Sequence, residues 1–285
     1  MAIYVTSDAH GHVRALDEAL SKISLTSDDT LYVLGDMIDR GPDPVGVIKL
    51  VRSLPNAHVL KGNHEQIMLD AIVGQDPLDA ETWDINGGWT TREQLNDMEF
   101  EAYEELVRWM AALPLYAVVE TAERPYLLVH AGIQTEAARA FLLEHGVDCG
   151  DGRGAVDADR ELLQQMLAVQ SSDDLLWIRH GYWDAPTGLL SAEGKGPVVV
   201  SGHTPTVSLG RYCEVGGLAG LDEESGRGQI VRLGGEDTAG VPDHRHRLRC
   251  RHRLRVRSCG HPAARWWGGV LREHQPGRII VASGS

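Results

Sequence analysis

The first third of the chain switches between two hydrophobic periods. Ile3–Thr6 is a short β-rich run that stops at the polar turn Ser7–Gly11. Val13, Leu16, Ala19, Leu20 and Ile23 then recur at helical spacing. Leu31–Leu34 predicts a second strand ending in Gly35-Asp36, and Pro42 and Pro44 open a helix carrying Val45, Ile48, Leu50 and Val51. Proline fits there because the first turn of a helix has no intrahelical use for its N–H. Ala57–Leu60 predicts a third strand ending in Gly62-Asn63, followed by a helix through Ile67, Met68 and Ile72. This βαβαβα order predicts a parallel or mixed sheet covered by helices.

The middle of the chain follows another pattern. Glu81–Asp97 is polar around Gly87-Gly88, Tyr103–Leu113 has helical spacing, and Leu115–Val119 and Tyr126–Val129 are further strands. Asp157–Gln170 is helical, Pro197–Val200 is another buried strand, and Gly210–Gly235 is glycine-rich and acidic. No internal repeat is visible.

Five of these strands end in polar clusters: Asp8-Ala9-His10-Gly11, Gly35-Asp36-Met37-Ile38-Asp39-Arg40-Gly41, Gly62-Asn63-His64-Glu65, His130-Ala131-Gly132 and Gly202-His203-Thr204. In an open α/β sheet the carboxyl ends of parallel strands share one edge, so the clusters are expected to converge although they run from residue 8 to residue 203. Carboxylate, imidazole and amide donors without thiolate suit Mn, Fe or Zn. Two such ions roughly 3.5–4 Å apart activate a water and hold both oxygens of an in-line displacement.

The pattern resembles the calcineurin-like metallophosphoesterases, and within them the serine/threonine protein phosphatases of the PPP type in their bacterial and phage form. The resemblance covers about residues 1–205. Gly-Asp-x-x-Asp-Arg-Gly is complete at Gly35–Gly41 and Gly-Asn-His-Glu at Gly62–Glu65. Gly-Asp-x-His-Gly appears as Ser7-Asp8-Ala9-His10-Gly11, with Ser7 in place of glycine and the ligand positions intact.

The resemblance implies an α/β fold, with two mixed β-sheets in a sandwich flanked by helices. It implies that Asp8 and His10 hold a first metal, that Asp36 bridges, and that Asn63, His130 and His203 hold a second. His64 would protonate the leaving oxygen, with Asp39 orienting its imidazole. Asp39 also has a plainer reading as the cap of the following helix. Arg40 would grip a phosphate oxygen. A second phosphate-binding arginine is expected between the last two histidine motifs; Leu176-Trp177-Ile178-Arg179 selects Arg179, with Arg160 and Arg153 as alternatives. His12, His58, His145 and His180 match no ligand position, and Trp83, Trp89, Trp109 and Trp183 are expected to pack.

Charge divides the chain. The formal net charge is −14 over 285 residues, yet from His244 onward there are ten arginines, no lysine and one acid, Glu273. Residues 1–243 therefore carry 17 basic and 40 acidic side chains, near −23, against a tail near +9. After Gly202-His203-Thr204 the resemblance leads one to expect an Ile-Asp-x-Gly strand end and a terminal hairpin, and neither is visible. A basic tail could bind nucleic acid or an anionic surface, or its His and Cys residues could bind zinc, though no finger spacing is present.

A third reading is a shifted reading frame. Arg245–Arg249 can be written CGG CAT CGA CTG CGG, which one base later encodes Gly-Ile-Asp-Cys-Gly. Tryptophan has a single codon, so Trp266-Trp267-Gly268 forces two glycines in the shifted frame. We therefore divide the chain into a metallophosphoesterase domain over 1–240 and an aberrant basic tail over 241–285, expected to be frameshifted and disordered.

The four cysteines form no Cys-x-x-Cys pair, and the N-terminus lacks a basic n-region and a long apolar h-region. A cytoplasmic monomer is expected, with two metal ions, Mn with Fe or Zn as alternatives. Its expected substrate is a phosphorylated protein or a small phosphoester, and neither nucleic acid nor membrane is an expected partner. The nearest rival is a symmetrical dinucleoside tetraphosphate hydrolase. In that branch Asp-Arg-Gly and Asn-His-Glu tend to drift, and both are intact here. A non-catalytic binding protein is the rival from another class.

Overall fold

A computed structural model describes residues 2–74, 76–212 and 279–283, the last as backbone only. Strands β1 (Ile3–Ser7), β2 (Thr30–Val33) and β3 (Ala57–Val59) run parallel, with Ile3 beside Thr30 and Leu31 beside Ala57. Strand β4 (Tyr116–Glu120) pairs antiparallel with β5 (Pro125–Val129), and β6 (Val198–Val200) lies parallel to β5. Strand β7 (Ile279–Ser283) lies parallel to β1 on its far side from β2. Among the described residues, one sheet thus has the order β3-β2-β1-β7 and is wholly parallel; the other has the order β4-β5-β6 and is mixed. The expectations of a frameshift and of disorder fall, apart from β7, on residues outside those described, as do the Ile-Asp-x-Gly and hairpin positions.

Side-chain alternation builds the sandwich, because successive residues of a strand face opposite sides of a sheet. Ile3 and Val5 of β1, Val119 of β4, Leu128 of β5 and Val200 of β6 meet between the sheets with Leu34 and Leu60. Tyr4 of β1 and Val33 of β2 face outward onto α1 (Val13–Ile23), α2 (Pro44–Ser53) and α3 (Asn63–Val73). Val118 of β4 and Leu127 and Val129 of β5 face outward beneath α7 (Thr135–Glu144), α8 (Arg160–Ala168) and α9 (Ser172–Trp177). The helices and sheets thus form four layers with three apolar seams.

The polar stretch Glu81–Asp97 is helical. It holds most of α4 (Pro77–Ile85), capped by Asp76, and all of α5 (Trp89–Asn96), joined through Gly87; α6 (Phe100–Ala111) follows. Helices α7 and α9 also form where the hydrophobic pattern had predicted no element. Among the described residues, no helix is long and apolar enough to cross a membrane.

Candidate metal centre

The strand ends converge. Nδ1 of His130, just past β5, lies 2.7 Å from the carbonyl of Leu34, just past β2, so the imidazole N–H spans the two sheets. The N–H of Gly202 donates to the carbonyl of His130 at 2.9 Å, and the N–H of His203 to Oδ2 of Asp8 at 3.0 Å. Asp8, His10, Asp36, Asp39, Asn63, His64, His130 and His203 are all buried.

Reaching this edge requires unusual backbone. Eight non-glycine residues in the described chain have positive φ, and six of them are Asp8, His10, Asp36, Asp39, Arg40 and His203. Residues with side chains seldom adopt that region, and they persist there only where surrounding structure over-determines them. Glu65 supplies part of the restraint. Its carboxylate accepts the N–H groups of Asp36, Met37 and Gly62, each at 2.8 Å, tying the end of β2 to the N-terminus of α3. A Cβ on Gly62 would lie 2.3 Å from Oδ1 of Asp36, so the two loops approach as closely as glycine allows. Glu65 was read from sequence only as the last letter of a motif; its spacing after Gly62 is that of a capping-box glutamate.

Tautomers follow from the partners. Nδ1 of His10 is 2.9 Å from the carbonyl of Ile38, which can only accept, so Nδ1 carries the proton and Nε2 presents a lone pair. The same logic places a lone pair on Nε2 of His130. That atom lies 2.9 Å from Oδ1 of Asn63, 3.2 Å from Nδ1 of His203 and 3.5 Å from Oδ1 of Asp36. Nδ1 of His203 is also 2.9 Å from Oδ1 of Asn63, while its Nε2 is buried and has no partner among the described residues. One shared proton cannot satisfy these acceptors, so at least one contact sets lone pair against lone pair. A cation among them removes that conflict, and the donor set therefore fits a metal ion.

Two groups bring ligand atoms within 4.8 Å of one another: His10, Asp36 and His64, and Asp36, His130 and His203. Asp36 belongs to both. The first differs from the expected set, since Asp8 turns its Oδ2 to the N–H of His203. Burial, then the Arg40 and His64 charges, push His10 down to about 3; burial, then His130 and Arg179, push His203 down to about 2. Both imidazoles are thus neutral, the form that ligates. Burial and the neighbouring carboxylates of Asp8 and Glu65 hold Asp36 well above the usual range, another sign of a site lacking positive charge.

Asp39 does not cap the helix that follows; Asp43 does, accepting the N–H of Gly46 at 2.8 Å. Oδ2 of Asp39 instead lies 2.7 Å from Nδ1 of His64. Its Oδ1 accepts from Nε1 of Trp83 at 3.0 Å and from Oγ1 of Thr91 at 2.6 Å. Burial raises Asp39 to about 6 and lowers His64 to about 3, with the Arg40 charge also lowering His64. Arg40 reaches Nε2 of His10 at 2.8 Å and Nε2 of His64 at 2.7 Å. Arg179 lies over the Tyr212 ring, 5.8 Å from its centroid, near enough to His203 to lower its proton affinity.

Among the remaining histidines and tryptophans, Trp89 departs from the expectation that it packs: it opens α5 and is 52% exposed. His58 stacks on Tyr32, His145 bonds the Phe141 carbonyl, and Trp183 donates to Thr204. A groove of about 700 Å³ opens between the edge strands β3 and β4; Arg160, an alternative to Arg179, lines it, and none of the residues assigned to the site does.

The family described as calcineurin-like phosphoesterase matches residues 1–234. A symmetrical bis(5'-nucleosyl)-tetraphosphatase of Proteus mirabilis is 29% identical over 221 residues, covering 75% of this chain and 68% of that protein. One of Erwinia tasmaniensis is 31% identical over 136 residues, covering 47% of this chain and 45% of that protein. The chain spans about half the length of the Erwinia relative. A serine/threonine phosphatase structure from Saccharomyces cerevisiae aligns with a TM-score of 0.36 at 18% identity, covering 48% of this chain and 43% of that one.

Proposed function

The chain belongs to the calcineurin-like phosphoesterases, and on that premise we propose that this metal-dependent phosphoesterase removes phosphate from phosphoserine and phosphothreonine in proteins. The observation that carries the reading is the buried pair of Asp39 and His64, 2.7 Å apart. A serine or threonine alkoxide is a strong base and leaves readily only if it gains a proton as the P–O bond breaks. A nucleoside diphosphate is a far weaker base and needs little such help. An aligned acid dyad is therefore worth most on an alkyl ester.

His10 and Asp36, with the Asp8 oxygen that the His203 N–H does not occupy, would hold one ion, and Asp36, Asn63, His130 and His203 the other. When bound, two divalent cations offset phosphate charge and lower the pKa of water. The protein's own groups supply the rest. Arg40, with its planar fork of donors, would turn from the two imidazoles to the phosphate oxygens. That move frees Nε2 of His64 and weakens one of the causes, second to burial, that lower its proton affinity. A phosphate dianion beside Nε2 raises that affinity further. The proton then sits on Nε2, with Asp39 holding Nδ1, and passes to the leaving oxygen. Arg179 would contact the phosphate from the side of His203.

A second reading, hydrolysis of symmetrical dinucleoside tetraphosphates, is favoured by the curated relatives, one of which aligns with 75% of this chain. The charge of residues 1–243, near −23, opposes a ligand with four phosphates. Turnover of a phosphoserine peptide against diadenosine tetraphosphate, with manganese present, separates the two. Faster peptide hydrolysis, lost in His64→Asn, is the expected result. Preferential cleavage of the tetraphosphate, indifferent to His64→Asn, overturns the proposal.

A further inference from the structure

The loop that carries Asp39 is held by something the motif itself does not contain. Asp39 and Arg40 are consecutive residues with φ of 69° and 64°. Two left-handed residues in a row, neither a glycine, do not hold that shape unaided. The helical pair α4–α5 holds them. The Asp39 N–H donates to Oγ1 of Thr91 at 2.9 Å, and the Arg40 N–H to the carbonyl of Gly87 at 3.1 Å. Gly87 itself has φ of 92°, and a Cβ there would stand 2.9 Å from Cγ of Arg40, so this turn lies directly against the loop.

The same helices reach the Asp39 carboxylate. Nε1 of Trp83, on α4, and Oγ1 of Thr91, on α5, both donate to Oδ1. Thr91 is fully buried and Trp83 nearly so. Oδ2 is left for Nδ1 of His64. A carboxylate with one oxygen held by two donors cannot rotate about its Cβ–Cγ bond without breaking both. The imidazole is thereby fixed from behind, and the direction of Nε2 with it.

We propose that Trp83 and Thr91 are positioning residues for the proton transfer: by holding Oδ1 of Asp39 they aim Nε2 of His64 at the leaving oxygen. The proposal rests on the reading of His64 as the proton donor. In the step concerned, a water oxygen bonds to phosphorus, one of its protons passing to solvent and the other staying on the phosphate product, and the bond from phosphorus to the ester oxygen breaks. The ester oxygen keeps that electron pair and takes the proton from Nε2, leaving His64 neutral. A misaimed Nε2 slows this step in proportion to the basicity of the leaving oxygen. General acid catalysis is worth about 10²–10⁴-fold, and its loss is felt on phenyl phosphate far more than on p-nitrophenyl phosphate, whose leaving group is the weaker base.

The test is the ratio of kcat on these two esters, measured with manganese on the full chain for wild type, His64→Asn, Trp83→Phe, Thr91→Val and Thr91→Ser. Circular dichroism and thermal midpoints check that each variant is folded. His64→Asn, Trp83→Phe and Thr91→Val are expected to shift the ratio against phenyl phosphate by about tenfold or more, within the range of general acid catalysis. Thr91→Ser, which keeps the hydroxyl, is expected to restore it. A role in stability alone lowers both rates together and leaves the ratio unmoved. If His64→Asn shifts the ratio while folded Trp83→Phe or Thr91→Val does not, the positioning proposal is overturned and the functional reading stands. If His64→Asn leaves the ratio at its wild-type value, or if wild type cleaves neither ester, the functional reading falls and the proposal with it.

Discussion

Nε2 of His130 and Nδ1 of His203 face each other at 3.2 Å, and Nδ1 of His130 is committed to the Leu34 carbonyl. Two imidazoles so placed, with Oδ1 of Asn63 at 2.9 Å from both nitrogens, have one proton too few. Divalent metal is therefore expected to stabilise the fold as well as enable catalysis. At a free ion concentration of 100 times Kd, binding adds about 2.7 kcal/mol, roughly 5–10 °C in a chain of this size. Thermal melts in EDTA and in manganese check this, alongside His203→Ala. No shift in wild type, or an equal shift in the variant, contradicts the assignment.

Glu65 makes a stronger structural demand than its place at the end of a motif suggests. Its two oxygens accept three backbone N–H groups inside a fully buried loop junction. Glu65→Gln keeps the shape but turns an amide NH₂ toward a backbone donor. The expected cost is about 3 kcal/mol, combining a lost charge-assisted bond with an unsatisfied N–H. Urea unfolding monitors it, and metal content should fall with stability because Asp36 and Asn63 sit on the two loops that Glu65 joins. A variant within about 0.5 kcal/mol of wild type, the range usual for substitutions without structural consequence, defeats the argument.

Helix Val13–Ile23 and the strand at Ala57 were legible because their signals are local: an apolar stripe in one, a β-rich run closed by Gly62-Asn63 in the other. The convergence of Asp8, Asp36 and Asn63 followed from topology, since parallel strands share a carboxyl edge; His130 and His203 end strands of the second sheet and reach that edge only because the two sheets pack face to face. Trp83 and Thr91 were not legible. They lie 44 and 52 residues from Asp39, in helices whose stretch reads only as polar because packing, more than an apolar stripe, sustains them. Pro77 after the Asp76 cap was the available sign of α4. Tryptophan packing was right for Trp109 but incomplete for Trp83, whose ring nitrogen carries the contact that matters.

Ser7, where glycine is the pattern, offers a test of opposite sign. Its Oγ is buried and has no hydrogen-bond partner among the described residues. It also crowds Gly202, where a Cβ would lie 2.1 Å from Oγ and 2.4 Å from Oδ2 of Asp8. Ser7→Ala removes an unsatisfied hydroxyl and keeps the Cβ. It is expected to raise stability by about 1 kcal/mol, with metal binding intact. Gly202→Ala, by contrast, should displace Asp8 and weaken metal binding. Destabilisation by Ser7→Ala would show that the hydroxyl is satisfied in solution.

The last prediction concerns acid. Asp29 closes the turn before β2, accepting from the N–H and Oγ1 of Thr26 and from the N–H of Ala2. These bonds hold its carboxyl below its ordinary value of 3.8, the Thr26 hydroxyl contributing most. A carboxyl whose pKa is lower in the folded chain stabilises the fold above the unfolded value, and that contribution is lost as pH falls through the folded value. Asp29→Asn is therefore expected to destabilise the protein at pH 7 by about 1 kcal/mol, because both carboxylate oxygens accept and the amide keeps only one acceptor, setting its NH₂ against a backbone donor. The gap between variant and wild type should narrow as pH drops below 3.8. Urea midpoints of both proteins at pH 7, 5 and 3 measure it. The first two gaps should agree and the third should be smaller; a gap that widens toward pH 3 reverses the sign of the linkage and refutes the assignment.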